Sequence, residues 1–166
     1  PMEVLLAATK HGGEIMGRPN ELGQLKAGYL ADLILVDGDP VANIRILQDE
    51  NIVETVQRDT GPYLAERWKQ LGEHKLVGEA RIAGMVGALE LVPNKAERRF
   101  FEERGKVGGL CRNIALRNGL ILRATNDAML LSPPLVISRD QIDELAEKAW
   151  RCLDLTLERC RAEGRL

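Results

Sequence analysis

Apolar positions recur every three to four residues through the second half of this chain, interrupted by short stretches of extended character. Ile142, Leu145, Ala149, Leu153, Leu157 and Cys160 form the longest such series, a spacing that puts them on one face of an α-helix. Ser138-Arg-Asp-Gln141 stands before it as a capping box. The Ser138 hydroxyl can accept from the third amide of the helix while Gln141 reaches back. Arg159 and Arg161 crowd the far end, where cations suit the negative pole of the helix dipole. A shorter face is made by Val107, Leu110, Cys111, Ile114 and Ala115, and Asn118-Gly119 closes it, glycine tolerating a left-handed position. A third stripe, Ile52, Val53, Val56, Leu64, Trp68 and Leu71, runs through about residue 72. Pro62 interrupts this stripe. It removes a backbone hydrogen bond and clashes with the preceding turn, which predicts a kink or break near Gly61.

Between the helices lie extended segments. Val77–Val92 reads as a hairpin or a long bent strand, with Gly84 and Gly87 marking a bulge or a close backbone approach. Residues 93–104 are charged and polar and read as an exposed loop. Leu120–Ala124 and Ala128–Ser132 read as two strands joined by Thr125-Asn126-Asp127, and Pro133-Pro134 ends the second. From Glu50 onward the order is helix, strands, helix, strands, helix. That order predicts an α+β fold, a small antiparallel or mixed sheet packed by helices. A short helix-and-strand appendage precedes it. Met2–Met16 has helical character, weakened by Gly12-Gly13 and ended by Gly17 and Pro19. Lys26-Ala-Gly28 reads as a turn and Leu30–Val36 as a buried strand closed by Asp37-Gly38-Asp39-Pro40. Val41–Leu47 is ambiguous.

Composition narrows the classes. The 166 residues, 45% hydrophobic and 29% charged with a net charge of −2, are those of an ordinary globular protein. Nothing in that charge calls for nucleic acid or an anionic membrane as partner. No apolar run approaches the roughly 20 residues that a membrane span needs, and no secretory signal is visible. Cys111, Cys152 and Cys160 show no Cys-x-x-Cys spacing, which argues for reduced packing thiols and a cytoplasmic location.

Two sets of residues carry family resemblances. Gly61-Pro-Tyr-Leu-Ala-Glu-Arg67, Leu76–Val92, Gly119-Leu-Ile-Leu-Arg-Ala124 and Leu131-Ser-Pro-Pro-Leu-Val-Ile137 resemble the C-terminal small domain of class III aminotransferases, most closely the ω-amino-acid:pyruvate branch. Ile82-Ala83 departs from the glycine usual there, which puts that loop's path in doubt. Leu22-Gly-Gln-Leu-Lys-Ala-Gly-Tyr-Leu-Ala-Asp-Leu33 resembles the tail of metal-dependent amidohydrolases. The expected organisation is therefore an amidohydrolase-tail-like segment at 1–47 and a small-domain-like part at 48–166. The seam falls within Ile44–Glu50, where an accidental join of two reading frames would sit. The start at Pro1 and the shortness of the chain read as a fragment.

The aminotransferase resemblance implies transfer of an amino group between an amine or amino acid and a keto acid on pyridoxal phosphate, in a homodimer with shared active sites. It also implies that the cofactor lysine and the carboxylate facing the pyridine nitrogen lie in a large domain that these residues do not include. Lys95 and Lys106 sit in or beside a charged stretch where nothing would desolvate an amine. No catalytic, cofactor-binding or metal-binding residue is therefore assigned, and no cofactor is expected on this chain alone. The resemblance places Arg123 where ω-aminotransferases carry an arginine that swings onto the substrate carboxylate. The alternative is a strand-end arginine, solvated or paired to Asp127. Arg81, Gly84 and Gly87 are candidates for the entrance, since close approach to a ligand favours glycine; strand bulges explain those glycines as well. His11 and His74, the only histidines, read as surface residues. Asp32, Asp37 and Asp39 read as strand-end and turn residues rather than metal ligands. Beside the aminotransferase reading stand a non-enzymatic fusion or interaction module and an amidohydrolase remnant.

Overall fold

A computed structural model describes residues 3, 6, 10–15, 51–97 and 99–166. They divide into two units, Pro1–Asn51 and Ile52–Leu166. In the first unit, Glu3 and Leu6 are helical and Lys10–Ile15 forms helix α1, which runs through Gly12-Gly13. Ile15 is 86% exposed. The expected turn at 26–28, the strand Leu30–Val36 and Asp32, Asp37 and Asp39 lie outside the described residues.

The second unit begins with one helical run of three textures. Helix α2, Ile52–Thr55, passes into a π-helical turn, Val56–Thr60, and then into helix α3, Gly61–Gln70. The proline expected to break this run instead sits in the first turn of α3, where its missing N–H costs least. The π turn absorbs the strain. The Gly61 amide reaches back to the Val56 carbonyl, and a Cβ at Gly61 would lie 2.4 Å from that oxygen. The helical run is thus continued through a wider turn and a glycine.

Four strands follow in two hairpins: β1 Val77–Ala83, β2 Val86–Leu91, β3 Arg123–Thr125 and β4 Ala128–Leu131. The sheet is antiparallel throughout, in order β1-β2-β4-β3. Val77–Val92 is therefore a hairpin, its two-residue loop made of Gly84 and Met85, with Gly84 at φ +56°. The bulge lies elsewhere, between Val77 and Glu79. Strand β3 is shorter than expected, and Leu120 and Leu122 ahead of it are buried outside the ladder. Residues 93–104 are mostly exposed, with Phe101 turned into the core.

Helix α4, Lys106–Arg117, and helix α5, Arg139–Ala162, complete the unit. Both halves of the capping box are present on α5: Gln141 N–H donates to Ser138 Oγ at 3.3 Å, and Ser138 N–H to Gln141 Oε1 at 3.0 Å. Helix α3 packs on β1 and α5, and α4 packs on α5 and on the β3–β4 hairpin. The core gathers Leu64, Trp68, Leu89, Met129, Ile142 and Leu153 between helices and sheet. Trp68 is fully buried; at about 200 Å² for such a ring, that burial stabilises the fold by roughly 5 kcal/mol as an upper estimate. Gly87 makes room for it, since a Cβ there would lie 2.7 Å from the indole nitrogen. Cys111, Cys152 and Cys160 are free and buried, and burial raises the Cys111 thiol to about 11.

His74 is not a surface residue. It is 4% exposed, its Nδ1 accepts the Leu76 amide at 3.1 Å, and its Nε2 meets Asp154 Oδ1 at 3.2 Å. Local backbone bonding satisfies the ring and makes its burial tolerable. His11, in α1, is exposed as expected.

Two expectations follow. Gly87→Ala must displace the Trp68 indole; we expect a loss of about 1–3 kcal/mol in urea unfolding, with tryptophan emission shifted toward that of exposed indole. At the C-terminus, Arg165 binds both Glu103 and Glu163 at 2.7 Å. Lys106, then Arg165, hold Glu103 below the usual carboxylate range, and Arg165, then Arg159, do so for Glu163. A depressed folded pKa gives stability that is present above the ordinary carboxylate range and lost as pH falls through the lowered value. In low salt, Arg165→Ala is expected to flatten stability between about pH 5 and 3; an unchanged acid limb would contradict this.

Candidate functional site

Helices α3 and α4 pack against one face of the sheet, and α5 packs on both of them. The register puts Ala80, Leu89, Met129 and Ala124 on that face and Arg81, Ala88, Leu130 and Arg123 in the adjacent row on the other. Leu89 and Met129 are buried, whereas Arg81 and Arg123 are exposed. Arg81 and Arg123 therefore stand on the same open face at opposite edges. Three strand spacings put their Cα atoms roughly 14 Å apart. Ala88 and Leu130, both half-buried, floor the space between them.

The two arginines differ in their company. Arg81 Nη1 lies 3.1 Å from Glu79 Oε2, and Nη2 lies 3.7 Å from Glu90 Oε2. Arg123 forms no ion pair among the described residues. The alternative pairing of Arg123 with Asp127 does not occur, because the Asp127 carboxylate is 1% exposed and engaged elsewhere. Its Oδ2 accepts the Gly105 amide and its Oδ1 the Gly108 amide, both at 2.9 Å, with Arg104 Nε at 4.0 Å. Asp127 thus caps α4 from a distant hairpin, a carboxylate at the positive end of a helix. Sequence reasoning missed this role. The signal was Gly105, Gly108 and Gly109 around a helix start that had no capping side chain of its own.

Gly84 has nothing within 4 Å of a built Cβ and owes its place to its positive φ, while Gly87 faces Trp68 in the core. An open groove of about 650 Å³ lies beside Arg81, lined by Glu79, Glu90, Lys95, Phe100 and Arg104. Arg104 stacks on Phe100 at 3.9 Å. The structure therefore brings Arg81 to a groove and leaves Arg123 and Gly84 outside its walls. Among the described residues no group of three or more His, Cys, Asp or Glu could hold a metal ion.

Residues 1–84 match the Amidohydrolase family. The C-terminal residues have other relatives. The chain is 50% identical over 149 residues to the putrescine–pyruvate aminotransferase of Pseudomonas aeruginosa, covering 86% of this chain and 31% of that protein. It is 34% identical to the diaminobutyrate–2-oxoglutarate transaminase of Halomonas elongata, covering 75% of this chain and 27% of the relative. The crystal structure of an omega-transferase from Vibrio fluvialis JS17 superimposes with a TM-score of 0.67 at 31% identity, over 72% of this chain and 28% of that one.

By the first match the chain belongs to the amidohydrolase family. Its C-terminal unit is a class III, pyridoxal-phosphate-dependent aminotransferase-like fragment. The amidohydrolase match runs past Asn51 into α2, α3 and β1, so the two likenesses overlap in sequence. The chain spans less than a third of the length of the aminotransferase relatives it matches.

The described residues do not fit pyridoxal phosphate. Lys95 donates to the Gly72 carbonyl and Lys106 to Glu103, and both are exposed; neither has the desolvated setting that an imine-forming amine needs. The N-termini of the two long helices, where a phosphate would settle, are already taken by Asp127 and by Ser138.

The closeness of α4 to its capping hairpin gives a paired test. A Cβ at Gly108 would lie 2.0 Å from the Asn126 carbonyl oxygen, whereas Gly109 has nothing within 4 Å. Gly108→Ala is expected to cost upwards of about 3 kcal/mol, and Gly109→Ala to be neutral or to stabilise by up to about 1 kcal/mol. Equal effects in urea denaturation would contradict the packing.

Proposed function

We propose that the C-terminal unit is the substrate-side portion of a pyridoxal-phosphate aminotransferase and that Arg123 receives the carboxylate of the substrate. The reaction moves an amino group between an amine or amino acid and a keto acid such as pyruvate. One observation carries this reading: Arg123 is exposed on the open face and uncommitted to any described carboxylate, in a chain 50% identical over 149 residues to a putrescine–pyruvate aminotransferase. A guanidinium forks onto a carboxylate through two parallel N–H···O bonds, and its long stem lets it withdraw when the substrate carries no charge. Arg81, already bound by two glutamates, and Gly84, in the adjacent hairpin loop, form the rim. The cofactor supplies the electron sink for the chemistry, and it is held by residues of the large domain. Amino transfer therefore belongs to an assembly larger than this chain, a cytoplasmic homodimer by resemblance to the family. The 166 residues alone are silent.

A hybrid enzyme tests this. Residues 52–166 would replace the matching segment of the Pseudomonas aeruginosa relative. We expect the hybrid to transaminate putrescine with pyruvate. Arg123→Ala in the hybrid is expected to raise KM for pyruvate at least tenfold more than KM for putrescine. Equal losses for the two substrates would refute the assignment.

A further inference from the structure

Arg123 sits on weak foundations of its own. It opens an edge strand of three residues, paired on one side only, through Leu130. A ladder this short does not hold its position in water unaided. What fixes the hairpin is its two-residue loop, Asn126-Asp127, and three backbone amides converge on the second of these residues. Gly105 and Gly108, at the start of α4, donate to the two carboxylate oxygens, each at 2.9 Å. Leu91, at the end of β2, donates to the Asp127 carbonyl at 2.9 Å. The loop also seats tightly, since the Asn126 carbonyl occupies the space where a side chain at Gly108 would stand. With the residue 1% exposed, the bonds to its carboxylate are charge-assisted and shielded from water, the regime in which such bonds are strongest.

We infer that Asp127 is a positioning residue for carboxylate recognition: by tying the β3–β4 loop to α4 and β2, it sets the place from which Arg123 reaches its ligand. The inference rests on the reading of Arg123 given above. Both Asp127 oxygens are taken by amides of the helix, so the residue acts on Arg123 through the loop alone. Asparagine is the discriminating replacement. It keeps the shape but offers one acceptor and one NH2 group, so one of the two helix amides meets a donor and the loop must shift.

The experiment uses the whole 166-residue chain, labelled with nitrogen-15 and titrated with pyruvate in low salt. The Arg123 side-chain Nε–H signal is assigned by its loss in Arg123→Lys, and the Arg81 signal serves as an internal control. In the unmodified chain, the Arg123 signal is expected to shift saturably. In Asp127→Asn, with cross-strand contacts between β2 and β4 retained, the apparent Kd for pyruvate should rise at least fivefold while the Arg81 response stays the same. An unchanged Kd in that variant overturns the positioning role and leaves the Arg123 reading intact. No saturable shift in the unmodified chain overturns the inference for this chain, and the hybrid enzyme then decides the Arg123 reading by itself. Should Asp127→Asn fail to fold, hydrogen exchange of the unmodified chain under rising urea decides. The Gly105 and Gly108 amides and the slow amides of β3 and β4 should open together with one urea dependence. Strand amides exchanging more than tenfold faster than Gly108 would show that the tie does not hold Arg123, and would overturn the inference.

Discussion

A carboxylate sealed from solvent at the start of a helix is the constraint on which the C-terminal unit hangs. Helix α4 has no capping side chain of its own; its first residue follows Gly105, held at φ +83°. Asp127 supplies the acceptors from the β3–β4 loop, and Gly108 removes the side chain that would keep the two apart. An uncapped helix start and an ionised carboxylate would each be costly to bury alone. Together they cancel, and the product is a rigid corner joining α4, the β3–β4 hairpin and the end of β2.

The rest of the unit follows from covering one side of the sheet that this corner orients. Helix α5 spans the layer and begins at a fully formed capping box, so its register against the core is set at its first turn. Helix α3 enters through a π turn and drives Trp68 against Gly87. A polar clasp outside the core keeps α3 on α5: Tyr63 donates to Asp143 at 2.8 Å, Arg67 meets the same carboxylate at 2.7 Å, and Arg139 stacks over the Tyr63 ring. These contacts are part-exposed and add modestly; the apolar layer beneath carries most of the stability.

What could be read from the residues alone was what depends on near neighbours. The faces of α4 and α5, the capping box and the glycine after α4 are set within a few residues, and each appears as the pattern implies. The α+β order of elements was legible as well, because alternation and helical period separate cleanly here. Interactions between distant residues were not. The π turn arises because a wider turn accommodates Pro62 with the helix kept, which propensity does not register. His74 is polar by composition yet buried, because a backbone amide two residues on satisfies it. Arg123 and Arg81 could both be named from the sequence, but their place in one row needed the sheet register, and the anchor Asp127 needed the meeting of a hairpin with a helix.

The sheet's bare side divides its strands into two evolutionary regimes. Positions 80, 89, 124 and 129 point into packed helices, where even one methylene is felt. Positions 81, 88, 123 and 130, one step along each strand, lie on the other face, away from the buried row. Substitutions there leave the core untouched, so the fold places little restraint on their drift. A mutational scan of these strands should show tolerance with a period of two. Any intolerance on the open face would then report selection for contacts made beyond this unit.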